Sequence, residues 1–178
     1  MKFELFEIPD PFHPAVVHYP IVLTLLGTVL ALGALLTRRF GLSFWTFLLF
    51  LLATIGIQYA VVTGQQQHFP QANQVAHAAV RDHAEWGEQT RTFDLITTVA
   101  ALVSLAVVRL RRVQRLFASV TLGCAVLTSY NVLKTAENGG KLVYDLGIGV
   151  NAPAPVVTPA PGVPAGSPSP TASLPARR

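Results

Sequence analysis

Two long runs without a single Asp, Glu, Lys or Arg dominate this chain, at residues 16–37 and 42–63. A helix that crosses the hydrocarbon core of a bilayer needs about 20 apolar residues, with a range of about 17–25. Both runs meet that length. Two shorter apolar stretches follow at residues 95–108 and 116–133. The last is just long enough, and the third becomes long enough by drawing on Thr92, Phe93 and Asp94, giving a span near 93–108. Only 12% of the chain is charged, against about 25% in soluble domains. The expected fold is all-α: a four-helix transmembrane bundle over residues 1–151, set in a lipid bilayer.

The first run is expected to be a retained span. A cleaved signal peptide has a positive flank and a short apolar core. Here Lys2, Glu4, Glu7 and Asp10 make the flank negative, and the core is longer. The one cysteine, Cys124, falls in the fourth span as a small packing residue. No CxxCH motif is present, so covalent c-type haem attachment is not expected.

Charge predicts orientation. Arg38 and Arg39 lie between the first two spans, and Arg109, Arg111, Arg112 and Arg115 between the last two, with no acid beside them. All nine acidic residues lie on the opposite side of the membrane. Basic loops stay in the cytoplasm, so both termini and the long loop 64–92 are expected outside, across a bacterial inner membrane. The basic pI then reflects topology and gives no reason to expect nucleic-acid binding.

Pro14 suits a first helical turn. Pro20, further in, frees the Val16 carbonyl and predicts a kink. Residues 71–92 read as a helix continuing into span three. Along one side fall Ala76, Ala79, Val80, His83, Gly87, Thr90 and Asp94, a small-residue stripe with His83 on it. His77 lies six residues earlier, about 240° away. Asn138-Gly139-Gly140 reads as a helix end. The following glycine-containing stretch to residue 150 is expected to fold back over the outer face. Residues 152–178 hold eight of the thirteen prolines and are expected to be disordered.

All five histidines therefore fall toward the outer face. The strongest group is His13 and His18 on the first helix with His83 on the third. Bundles place cofactors between facing helices, and a b-type haem needs neutral imidazoles from opposing helices with small residues beside them. His18 and His83 are the expected axial pair, His13 a supporting or alternate ligand, Gly87 the space for the ring and Tyr144 part of the cover. The alternative is that each imidazole only hydrogen-bonds backbone or carboxylate at the interface. A zinc or copper ion held by some of His13, His18, His77 and His83, with His18 and His83 first, is a further reading. It lacks a close His pair and any acidic or thiol ligand at motif distance. His68, beside Gln65, Gln66 and Gln67, is expected to be solvated. Asp94 is expected to cap the membrane part of its helix or pair with Arg91, and Trp45, Trp86, Tyr19, Tyr59 and Tyr130 to anchor at the interface. No hydrolase motif and no phosphate-binding loop is present, and no catalytic activity of the chain alone is expected.

The segments His13-Pro14, Val17-His18-Tyr19-Pro20, Thr63-Gly64, His83-Ala84-Glu85-Trp86-Gly87 and Gly139-Gly140-Lys141-Leu142-Val143-Tyr144 through Gly147-Ile148-Gly149-Val150 resemble motifs of the bacterial membrane family called domain of unknown function 2231. They occur in that family's order and cover the chain apart from the tail. Tyr19 stands where that family usually has Phe, and Gln65-Gln66-Gln67 follows the Thr63-Gly64 turn. The resemblance implies a four-helix membrane domain and an electron-transfer setting, because such domains often accompany cytochrome or other redox modules. The functional expectation is a redox subunit; the alternative is a non-catalytic accessory subunit of a larger membrane complex.

Overall fold

A computed structural model describes residues 13–37, 39–66 and 74–148. The N-terminal arm, His68, Val150 and the proline-rich tail lie outside the described residues. The order is α1 (His13–Val16), α2 (His18–Thr37), α3 (Phe40–Gln65), α4 (Gln74–Ala106) and α5 (Arg111–Tyr144). α1 and α2 form one helix interrupted at Val17, directly after the carbonyl that Pro20 leaves without its amide partner. The expected kink is there. The long helices α2 to α5 make an antiparallel bundle in which each packs on its sequence neighbour and α2 closes the ring against α5.

The bundle is built the reverse of a soluble one. Its centre holds small and hydroxylated residues: Ala31, Ala53, Ala101, Ala125, Thr97 and Thr128 are all buried. Its large aliphatic side chains point outward, Val29, Leu36, Ile55 and Leu95 among them. Small residues let membrane helices approach closely, and hydrogen bonds between helices add to the packing. Gly27 shows the close approach: a Cβ there would lie 3.0 Å from the ring of Phe50, a side chain that is 0% exposed. Threonine suits this interior because its hydroxyl satisfies itself on the preceding turn, as Thr97 does on Phe93 (2.8 Å) and Thr128 on Cys124 (3.0 Å), while also bridging helices (Thr97 Oγ1 to Thr128 Oγ1, 2.9 Å).

The helix comprising α1 and α2, together with α3 and α5, is long and apolar enough to cross a membrane. α4 is not, because its first half carries Arg81, Asp82, Glu85, Glu88 and Arg91. α4 packs between α3 and α5, and the residues expected as an outer helix and a third span form one continuous helix of 33 residues.

One expectation fails. Asn138, Gly139 and Gly140 do not end a helix; α5 continues through them to Tyr144. Packing overrides their weak helical preference, since Leu142 is buried on the bundle. The turn comes at Gly147, with φ 63°, where the Ile148 amide donates to the Leu142 carbonyl (2.8 Å). The stretch therefore does not fold back as a cover within the described residues, and Tyr144 is 87% exposed.

Candidate functional site

The bundle has an arginine end, at the α2–α3 and α4–α5 turns, and a histidine end. At the latter His13 and His83 meet. Their ring centroids lie 6.2 Å apart with planes at 85°. His13 comes from α1, ahead of the Val17 break, and leans on α3. His83 comes from the small-residue stripe of α4 and leans on α5.

The two imidazoles are held in parallel ways. The His83 Nδ1 donates to the Thr135 carbonyl at 3.0 Å. A carbonyl only accepts, so the proton is on Nδ1 and Nε2 carries the lone pair. The His13 Nδ1 lies 3.2 Å from Thr63 Oγ1. That hydroxyl spends its own hydrogen on the Tyr59 and Ala60 carbonyls, each 3.0 Å away, so His13 is the donor here too. Each ring edge then rests on a glycine. A Cβ on Gly64 would come within 3.0 Å of His13 Cε1, and one on Gly139 within 3.1 Å of His83 Cε1. Beneath them, Thr90 and Thr135 join hydroxyls at 2.9 Å.

Burial is the main cause holding the His83 imidazole below its usual range; its bond to Thr135 opposes this, and the nearby His13 reinforces it. His83 is therefore kept neutral, the form that offers a lone pair to a metal.

The other expected residues lie elsewhere. His18 is exposed, its Nδ1 bonded to the Pro14 carbonyl one turn back (2.8 Å). The pair in contact is His13 with His83; His18, five residues on and about 140° further round, is left on the outside. His77 is exposed. Gly87 has open space where a Cβ would be, with nothing within 4 Å. Among the described residues, no three His, Cys, Asp or Glu side chains converge as a metal would need.

Sequence reading missed Thr63, Gly64, Thr135 and Gly139 as the surroundings of the two rings. A signal existed for three of them, because Thr63-Gly64 and Gly139-Gly140 stand in the motifs quoted above. Those motifs are far apart in sequence and meet in this one layer.

Asp94 is the second polar centre. It is 0% exposed. It neither caps a helix nor pairs with Arg91, which is bound to Glu88 at 2.5 Å. Its Oδ2 receives the Thr54 hydroxyl (2.6 Å), which also meets Thr98 Oγ1 (2.8 Å).

Small residues inside, aliphatic residues outside and helices of membrane-crossing length define an all-helical integral membrane protein. The chain belongs to the family described as "Predicted membrane protein (DUF2231)", which matches residues 9–152. No curated protein and no solved structure shows significant similarity to it.

Proposed function

We propose that this chain is a membrane redox subunit that binds a b-type haem between His13 and His83 and passes electrons to a partner. The observation that carries this reading is the matched pair of imidazoles at the end of the bundle. Their ring centroids lie 6.2 Å apart, and were a haem bound there, these two imidazoles would be the residues to hold its iron. Both Nδ1 protons are anchored to oxygen, the kind of bond that fixes the orientation of a ligating imidazole. Haem also fits the donor count. The porphyrin supplies four nitrogens, so two imidazoles suffice, whereas zinc or copper would need further ligands from the chain. His18 and Tyr144, both exposed, have no part in this reading.

In this reading the arginine-rich turns face the cytoplasm across a bacterial inner membrane, since basic loops favour that side. Arg111 and Arg112 open α5, where helix dipoles disfavour cations, so their use there is better explained by topology than by helix stability. The histidine end and both termini then lie outside, and the electron partner is a cytochrome or a larger membrane redox complex reached from that side.

A second reading has its own observation. The two rings already pack edge to face, a favourable contact by itself, so they serve equally to pin α1 to α4 in a non-catalytic accessory subunit. Absorption of the chain purified after expression with haem supply separates the two. The redox reading predicts a Soret band that His83→Ala removes. A colourless, folded chain contradicts it and favours the accessory subunit.

A further inference from the structure

Asp94 sits in a layer to which all four long helices contribute. The Thr90–Thr135 and Thr97–Thr128 bonds bracket Asp94 on α4 and Asn131 on α5, so these two stand at one level. Thr28 of α2 bonds the Ala125 carbonyl (3.2 Å) and Ser129 Oγ (2.8 Å) of α5. One turn further toward the histidine end, Thr24 reaches the level of Asn131. Thr54 of α3 is bonded to Asp94 directly.

Three oxygens in this layer have no hydrogen-bond partner: Asp94 Oδ1, Asn131 Oδ1 and Thr24 Oγ1. Their residues are 0%, 5% and 0% exposed. Such atoms are costly when orphaned. The Asn131 amide cannot solve the problem by turning over, because its Nδ2 is used on the Leu127 carbonyl at 2.9 Å. Charge is short as well. Asp94 is the only buried acid or base among the described residues. α2, α3 and α5 bring hydroxyls and an amide to this layer, and the nearest base on α4, Arg91, is committed to Glu88.

We propose that this layer binds one small, hard monovalent cation, sodium by charge and ligand type. The donors are a carboxylate, an amide oxygen and hydroxyls, the oxygen set of hard cations. With a single carboxylate, the site balances one positive charge and not two. A proton on Asp94 would answer the charge but leave the Asn131 and Thr24 oxygens bare, whereas one cation answers all three. Thr54, whose hydroxyl bonds Asp94, also stands on the wall of an open crevice of about 720 Å³ between α3 and α4, with Gln58, Arg91 and Thr92. The site does not depend on whether the histidines hold haem.

The test is thermal unfolding of the purified full-length chain in sodium chloride and in choline chloride at equal ionic strength, with isothermal titration of sodium into the sodium-free wild type. Sodium is expected to raise the melting temperature saturably and to give a saturable heat; the isosteric Asp94→Asn loses both, and Asn131→Leu weakens both. Equal melting in the two salts with no heat overturns the proposal. So does a sodium effect that survives in Asp94→Asn. If sodium has no effect and the infrared C=O band of a neutral carboxylic acid disappears in Asp94→Asn, the occupant is a proton and the proposal is also overturned. Should Asp94→Asn not fold, the wild-type titration decides alone.

Discussion

The His13–His83 layer and the Asp94 layer lie about 16 Å apart along α4, from eleven residues at 1.5 Å each, and they treat polar atoms in opposite ways. At the histidine end the two Nδ1 protons have defined acceptors, and the edge of each ring rests on a glycine. At the Asp94 layer three oxygens are left with nothing. The first arrangement carries the haem proposal, and the second carries the cation proposal. Most other buried hydroxyls satisfy themselves on the preceding turn, although Ser43 Oγ and Gln114 Nε2, at the arginine end, are also left without a partner.

Phe50 offers the largest perturbation. It is one turn from Thr54, fully buried against Gly27, and its carbonyl accepts the Thr54 hydroxyl at 2.9 Å. Phe50→Ala is expected to cost about 3–5 kcal/mol by unfolding in detergent and to loosen the Asp94 layer while leaving the histidine layer intact. Equal disruption of both layers would break the comparison.

A narrower perturbation reaches the histidine layer alone. Gly64→Ala or Gly139→Ala pushes a methyl against an imidazole edge, with an expected cost of about 1–3 kcal/mol and a shift in the histidine NMR signals. Gly87→Ala is the control: with open space at its Cβ position it is expected to be neutral or stabilising by up to about 1 kcal/mol. The scaffold hydroxyls rank lower. Thr97→Val removes one inter-helix bond and is expected to cost about 1 kcal/mol, with coupling to Thr128→Val in a double-mutant cycle.

The smallest expected effect is a pH dependence from His83. Its folded pKa is lowered from 6.5, so the folded state binds fewer protons than the unfolded one. That contribution to stability is complete above pH 6.5 and falls as acid protonates the unfolded imidazole. The melting temperature should drop from pH 7 toward pH 5, and His83→Gln should flatten the slope.

Much of this architecture is legible from the sequence, because membrane insertion depends on long uncharged runs and they need no partner to be read. The stripe of Ala76, Thr90 and Asp94 also falls inward as the helical period requires. The end of α5 is misread because Asn-Gly-Gly is a local signal, and the buried Leu142 supplies a tertiary reason to continue. Sequence reading pairs His83 with His18, whereas the structure brings His13 against it. His13 and His18 stand five residues apart, about 140° around a helix, and nothing local in the sequence says which of those two faces meets α4. The Asp94 layer is the least legible, since its members come from four helices and none is unusual alone.

In the proposed haem site His13, and not His18, completes the pair with His83. Electron paramagnetic resonance of the oxidised, haem-supplied chain tests it most directly, read beside the His13→Ala and His18→Ala variants. If His13 and His83 hold the iron, a low-spin signal is expected. His13→Ala should convert it to a high-spin signal, and His18→Ala should leave it unchanged. A low-spin signal that survives in His13→Ala and vanishes in His18→Ala would contradict the account.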